Sequence, residues 1–247
     1  MSTVPDLVPS AGFVILAGAL VGGIVSGIAG FGGGPVILAV WLLVLPPQMA
    51  APLLTISFLF VMLGNIHLVR HALSWRRLWP FLLGGLIGVP FGAALLQVVS
   101  PLTFRRIVGG FLIAYAVMRL SVLRTLNVHV RGWLPDTVAG AGAGVIAGLA
   151  GTPGPPISLW CGLRGWGKDE QRAVVAPFNF LCTVAAIALY LQAGLITADF
   201  GWLSLWAVPG AVAGNQLGIP VYKRLSDGQF QKLLVWLLLA MGVLLVV

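Results

Sequence analysis

The chain has 247 residues, 59% of them hydrophobic and only 8% charged, with 14 Lys and Arg against 6 Asp and Glu. Ordinary soluble domains carry roughly a quarter charged residues, so soluble catalytic domains, nucleic-acid readers and disulfide scaffolds are excluded and an integral membrane protein remains. The net charge of +8 marks topology, because the basic residues punctuate apolar stretches.

In chain order, the first basic residue is Arg70, so the start lacks the basic region of a cleavable secretory signal and is expected to be retained. Apolar stretches follow at 13–45, 50–69, 78–99, 104–123, 137–163, 173–193, 200–221 and 229–247. One helical crossing needs about 20 such residues, which makes the first and fifth stretches too long for one. They are also broken. Residues 13–29 read as a helix, Gly30-Phe-Gly-Gly-Gly34 interrupts it, and Pro35 suits the first turn of a second helix ending near Leu45. The fifth stretch repeats the pattern: a helix over 137–150, then Gly151-Thr-Pro-Gly154, then Pro155 and Pro156 opening a short helix. Cys161 and Cys182 fall within apolar sequence and read as packing residues.

The two sets of four stretches resemble each other. Ser26–Leu38 matches Ala147–Leu159 at a constant offset of 121, and Gly84, Gly88, Gly92, Ser100 and Phe104 meet Gly210, Gly214, Gly218, Ser226 and Phe230 at 126. An internal duplication follows, with repeats at 1–127 and 128–247 in one membrane domain. The i, i+4 glycine rows read as faces for close helix contact.

Charge decides how the broken stretches run. Eight simple crossings divide the basic residues almost evenly. If both broken stretches are re-entrant and leave by the side they entered, only Arg105 and Arg106 stand opposite the other twelve of the 14 basic residues, as the positive-inside rule demands. The expected fold is therefore all-α and membrane-spanning. Each half is a re-entrant broken helix pair plus three transmembrane helices, the halves are inverted repeats, and both termini lie outside the cytoplasm.

Non-helical backbone at membrane depth is tolerated only against protein or a water-filled cavity. A helix starts after each break, and two facing helix N-termini, with free N–H groups and positive macrodipole ends, form an anion site. All six carboxylates fall in the tail, connections or segment ends, which disfavours cation transport. The candidate substrate-binding residues are Gly32, Gly33 and Gly34 in the first break, Thr152 and Gly154 in the second, and Thr55, Asn179 and Gln216 among the polar groups within spans. Ser57, Asn65, His67, Thr183 and Asn215 are the remaining polar groups there; such residues more often join helices than touch ligand. No nucleophile–base pair, metal-ligand cluster or phosphate loop stands out, so no enzyme activity, metal or cofactor is expected.

Gly27-Ile-Ala-Gly-Phe-Gly-Gly-Gly-Pro35, its copy Gly148-Leu-Ala-Gly-Thr-Pro-Gly-Pro-Pro156, and the Ala51-Pro52 and Ala176-Pro177 pairs that follow them resemble the TauE/SafE sulfite exporter family over nearly the whole chain. The resemblance implies a transporter of sulfite, sulfonates such as sulfoacetate, thiosulfate and related anions across the bacterial inner membrane. Its partners would be a small anionic substrate and the lipid bilayer, with no nucleic acid. The second copy has Thr152-Pro153 where the first has Phe31-Gly32, losing one N–H and gaining a hydroxyl. A passive anion channel using the same helix ends, and a membrane scaffold using only the glycine faces, are the alternatives.

Overall fold

The computed structural model describes residues 8–29, 33–64, 74–121, 132–166, 168–196 and 199–222, with 235–236, 239–240, 242–243 and 245–246 near the C-terminus. These residues form α1 (Val8–Ala29), α2 (Gly33–Trp41), α3 (Pro47–Gly64), α4 (Trp75–Val98), α5 (Pro101–Ser121), α6 (Leu134–Ala150), α7 (Gly154–Leu163), α8 (Lys168–Gln192) and α9 (Asp199–Tyr222). Among the described residues the protein is all-helical, as the composition requires: apolar chain in lipid must satisfy its backbone groups within each segment. The regions 75–98, 101–118 and 173–192 are long and apolar enough to cross a bilayer. Phe91, Val98, Leu102, Val138 and Leu205 are each at least 58% exposed, an outer surface that lipid would cover.

Both broken stretches appear as two helices. The second of these in the first half, α2, ends at Trp41 rather than near Leu45, because residues 42–44 tighten into a turn in which Leu43 N donates to Val40 O and Val44 N to Trp41 O. Pro46 disfavours helical backbone at Leu45 and so stops the helix from resuming there.

Two glycine seams hold the helices together. Any Cβ on Gly84, Gly88 or Gly92 of α4 would run into the carbonyls of Thr137, Ala141 and Val145 on α6, and Gly140, Gly144 and Gly148 stand in the same relation to Phe81, Gly85 and Val89. The paired numbers rise together, so α4 and α6 run parallel with backbones touching. The counterpart seam joins α1 to α9: Gly214 and Gly218 meet the carbonyls of Leu20 and Ile24, while Gly23 and Gly27 meet those of Ala211 and Asn215. The first helix of each half thus packs on the fourth helix of the other. Small residues permit this approach, and the close backbones gain dispersion and Cα–H···O contacts where lipid supplies no hydrophobic drive.

Each broken pair folds back on itself. Trp41 Nε1 donates to Ile15 O at 3.0 Å, tying the end of α2 to the start of α1. In the second half Trp160 Nε1 donates to Asp136 Oδ1 at 2.8 Å and Arg164 bonds both Asp136 oxygens, tying the end of α7 to the start of α6. Ile15 and Asp136 are equivalent at the offset of 121. The hairpins open toward different ends of α4. Arg105 donates to Leu42 O and Gln48 Nε2 lies 3.3 Å from Leu96 O, which puts the α2 end beside the Val98 end of α4. Arg77, at the Trp75 end, bonds Glu170 at 2.6 Å and lies over Trp166, just beyond α7.

Candidate functional site

The tips of the two hairpins meet in the interior. Gly33, Gly34, Gly151, Thr152 and Gly154 are all buried, Thr152 being 7% exposed. At the end of α6 the chain turns through Gly151, whose φ of 67° is the left-handed value that glycine adopts without a Cβ clash, and its N–H closes the helix on Ala147 O at 2.9 Å. That turn delivers Thr152 to Gly34: a Cβ on Gly34 would stand 2.5 Å from Thr152 Cγ2 and 3.6 Å from Leu54 Cδ2. Gly33 instead backs onto the Gly22 carbonyl and Ser26, within its own hairpin.

Both α2 and α7 begin at this junction. Pro35, Pro155 and Pro156 have no N–H, so the first-turn donors there are those of Gly33 and Gly34 on one side and Gly154 on the other. The supply is unequal, and Thr152 brings a hydroxyl to the poorer side.

A polar layer lies beneath the second tip. Thr55 is fully buried and its hydroxyl donates to Ala51 O at 2.7 Å, leaving the oxygen packed against Gly151. The Tyr190 hydroxyl donates to Gly148 O at 2.7 Å, anchoring the last turn of α6. Asn179 and Thr183, 7% and 2% exposed, lie one turn apart on α8, and among the described residues Asn179 Oδ1 and Thr183 Oγ1 have no hydrogen-bond partner. Buried polar atoms without partners are uncommon, since each carries a desolvation penalty of about 1–3 kcal/mol.

Of the sequence-derived candidates, the structure brings Gly33, Gly34, Thr152 and Gly154 to the hairpin tips, sets Thr55 against Gly151, and buries Asn179 on α8. Gln216 is not among them: it is exposed on α9, while its neighbour Asn215 faces the α1 seam. Gly32, Asn65 and His67 lie outside the described residues. Cys161 and Cys182 are buried free thiols, in keeping with packing roles. What the sequence reading missed is the Asp136–Arg164–Trp160 cluster that closes the second hairpin. Its one signal was a carboxylate two residues into a helix otherwise free of charge.

The family model described as sulfite exporter TauE/SafE matches residues 14–245. The chain belongs to the TauE/SafE family. No curated protein and no solved structure matches it. As a TauE/SafE member it is a membrane transporter of the sulfite-exporter type with a small anionic substrate, so the exposed apolar side chains of α4, α5, α6 and α9 face lipid. The matched region contains both breaks and both glycine seams of this TauE/SafE chain.

Proposed function

We propose that the protein moves a small sulfur-containing oxyanion, such as sulfite, a sulfonate like sulfoacetate, or thiosulfate, across the bacterial inner membrane, and binds it between the two hairpin tips. The observation that carries this reading is the apposition of Gly34 with Thr152, which points the starts of α2 and α7 at one place. The N–H groups of Gly33, Gly34 and Gly154 and the Thr152 hydroxyl donate to the oxyanion, and the helix dipoles favour its charge. Gly34 suits this place because even a Cβ there would run into Thr152 and force the tips apart.

Asn179 serves the same site from α8. At the offset of 125 that aligns Ala51-Pro52 with Ala176-Pro177, Asn179 is the counterpart of Leu54, the residue packed against Gly34. Rotation of the amide offers Nδ2 in place of Oδ1, and Thr183 supplies a further O–H. An anion there would satisfy groups that are otherwise buried without partners.

In this reading the hairpins are re-entrant and the halves inverted, with the Arg77 and Arg164 end in the cytoplasm. The seams make α1 with α9 and α4 with α6 two firm units, each joining a hairpin to a helix of the other half. Parting the tips while the seams stay closed exposes the anion to one side and then the other, which is how inverted-repeat transporters alternate access.

The test is counterflow in proteoliposomes. Sulfite, sulfoacetate, thiosulfate and sulfate are each loaded inside, and entry of the same labelled anion is followed. Saturable, trans-stimulated uptake is expected for at least one sulfur anion, with Asn179→Ala raising its half-saturation concentration by roughly 10-fold or more, as loss of a hydrogen bond to a charged ligand implies. Linear flux without trans-stimulation would show a channel, and no flux of any of these anions would remove the reading.

A further inference from the structure

A cavity of about 670 Å³ opens at the Trp75 end of α4, away from the hairpin tips, and its walls include Arg76, Arg77, Trp79, Trp133, Arg164 and Trp166. Its charges are unequally satisfied. Arg164 is held by the buried carboxylate of Asp136. Arg77 shares an exposed pair with Glu170, both side chains being over 40% exposed, and its guanidinium stands 5.3 Å from the Trp166 ring centre. Arg76 is exposed with no carboxylate partner among the described residues. Both α4 and α6 begin at this rim without a side-chain cap, so their first N–H groups add to the positive potential.

The opposite wall is apolar. Trp79 and Trp133 lie 5.8 Å apart at 30° and are about half exposed. At helical spacing from Trp79, exposed Leu83 and Ile87 continue along α4, and exposed Leu134 and Val138 stand four apart on the first turns of α6. A cationic mouth joined to a tryptophan-edged apolar track matches a ligand with a charged head and a hydrocarbon body. Tryptophan favours the headgroup level of a bilayer, and basic pockets between helices on the cytoplasmic side recognise anionic headgroups. A free oxyanion of four or five heavy atoms would occupy a small part of the cavity and make no use of the track.

We propose that this cavity binds the phosphate headgroup of an anionic phospholipid, with Arg76 and Arg77 on the phosphate and the acyl chains lying along Trp79, Leu83 and Ile87. The proposal stands apart from the anion site at the hairpin tips and rests on the proposed placement of the Arg77 and Arg164 end at the cytoplasmic face.

Full-length protein is purified in a neutral detergent, delipidated, and titrated with phosphatidylglycerol, phosphatidylcholine, inorganic phosphate or sulfite, with bound lipid counted by native mass spectrometry and melting followed in parallel. Phosphatidylglycerol is expected to bind and raise the melting temperature, whereas phosphatidylcholine and inorganic phosphate leave both unchanged. The Arg76→Gln/Arg77→Gln variant is expected to bind phosphatidylglycerol roughly thirtyfold more weakly, while melting like the parent in phosphatidylcholine nanodiscs. If the double variant does not fold, Arg76→Gln alone, at an exposed position, is expected to weaken binding about fivefold. Unchanged phosphatidylglycerol binding by these variants overturns the proposal. So does inorganic phosphate or sulfite reproducing the lipid's effect through Arg76 and Arg77, which would make the cavity a free-oxyanion site.

Discussion

Thr152 turns its methyl group toward Gly34, and a Cβ on Gly34 would come within 2.5 Å of that carbon. Gly34→Ala should therefore overpack the junction at a cost of about 1–3 kcal/mol. Thr152→Ser removes the offending methyl and keeps the hydroxyl. The double variant Gly34→Ala/Thr152→Ser should recover most of the lost melting temperature, and with it counterflow, whereas Thr152→Ser combined with a distant destabilising change should not. A double variant no better than Gly34→Ala alone would show that these residues are not opposed. Gly33 is a poorer probe, because its neighbour is the Gly22 backbone, which has no methyl to remove.

The seams predict opposite signs for two glycines close together in space. A Cβ on Gly88 would collide with the Ala141 carbonyl, while one on Gly142, next along α6, meets nothing within 4 Å. Gly88→Ala should separate α4 from α6 and destabilise the protein by about 1–3 kcal/mol. Gly142→Ala should stabilise it by about 0.5–1 kcal/mol, through helix propensity alone. Thermal unfolding of the two variants in one detergent checks both, and equal shifts would contradict the seam.

Asp136 and Arg164 predict a strong coupling where Arg77 and Glu170 predict a weak one. The Asp136 and Arg164 side chains are 10% and 17% exposed, and Trp160 donates to the same carboxylate. Asp136→Ala leaves a guanidinium poorly solvated and should cost roughly 3 kcal/mol, with part of that loss returned in Asp136→Ala/Arg164→Met. Arg77 and Glu170 are 45% and 44% exposed, so Glu170→Gln should cost less than about 1 kcal/mol. Equal losses for Asp136→Ala and Glu170→Gln would mean that the first pair does not close the hairpin.

How far the sequence discloses this arrangement depends on the range of each interaction. The breaks were legible because the Gly30–Gly34 run, and Gly151-Thr152 followed by Pro153, do not comfortably continue the helix before them, and α2 and α7 start afresh at Gly33 and Gly154. The seams were legible because glycines four apart stay on one face of any helix, and both rows recur at one offset. Pairing across the chain was not. Nothing local to Asp136 announces Arg164, 28 residues later, until the hairpin brings them together. The facing of α9 was not legible for a related reason: the helix is apolar nearly all round, so no polar stripe shows which of Asn215 and Gln216, about 100° apart, faces the seam.

Which membrane face each hairpin opens on is the last expectation to be tested. Trp133 precedes α6 and Glu170 lies in the first turn of α8, so a re-entrant second hairpin between them puts both positions on one side, with Arg76 beside them. Pro46, after the first hairpin, and Ser100, between α4 and α5, are exposed at the other end of α4. Single cysteines at these five positions, in a Cys161→Ser/Cys182→Ser background, should divide cleanly under an impermeant thiol reagent in intact cells. Pro46→Cys and Ser100→Cys should label from outside. Arg76→Cys, Trp133→Cys and Glu170→Cys should label only after the membrane is opened. A single broken crossing made by α6 and α7 together would separate Trp133 from Glu170, so labelling of one and protection of the other in intact cells would defeat the inverted arrangement and the central anion site built on it.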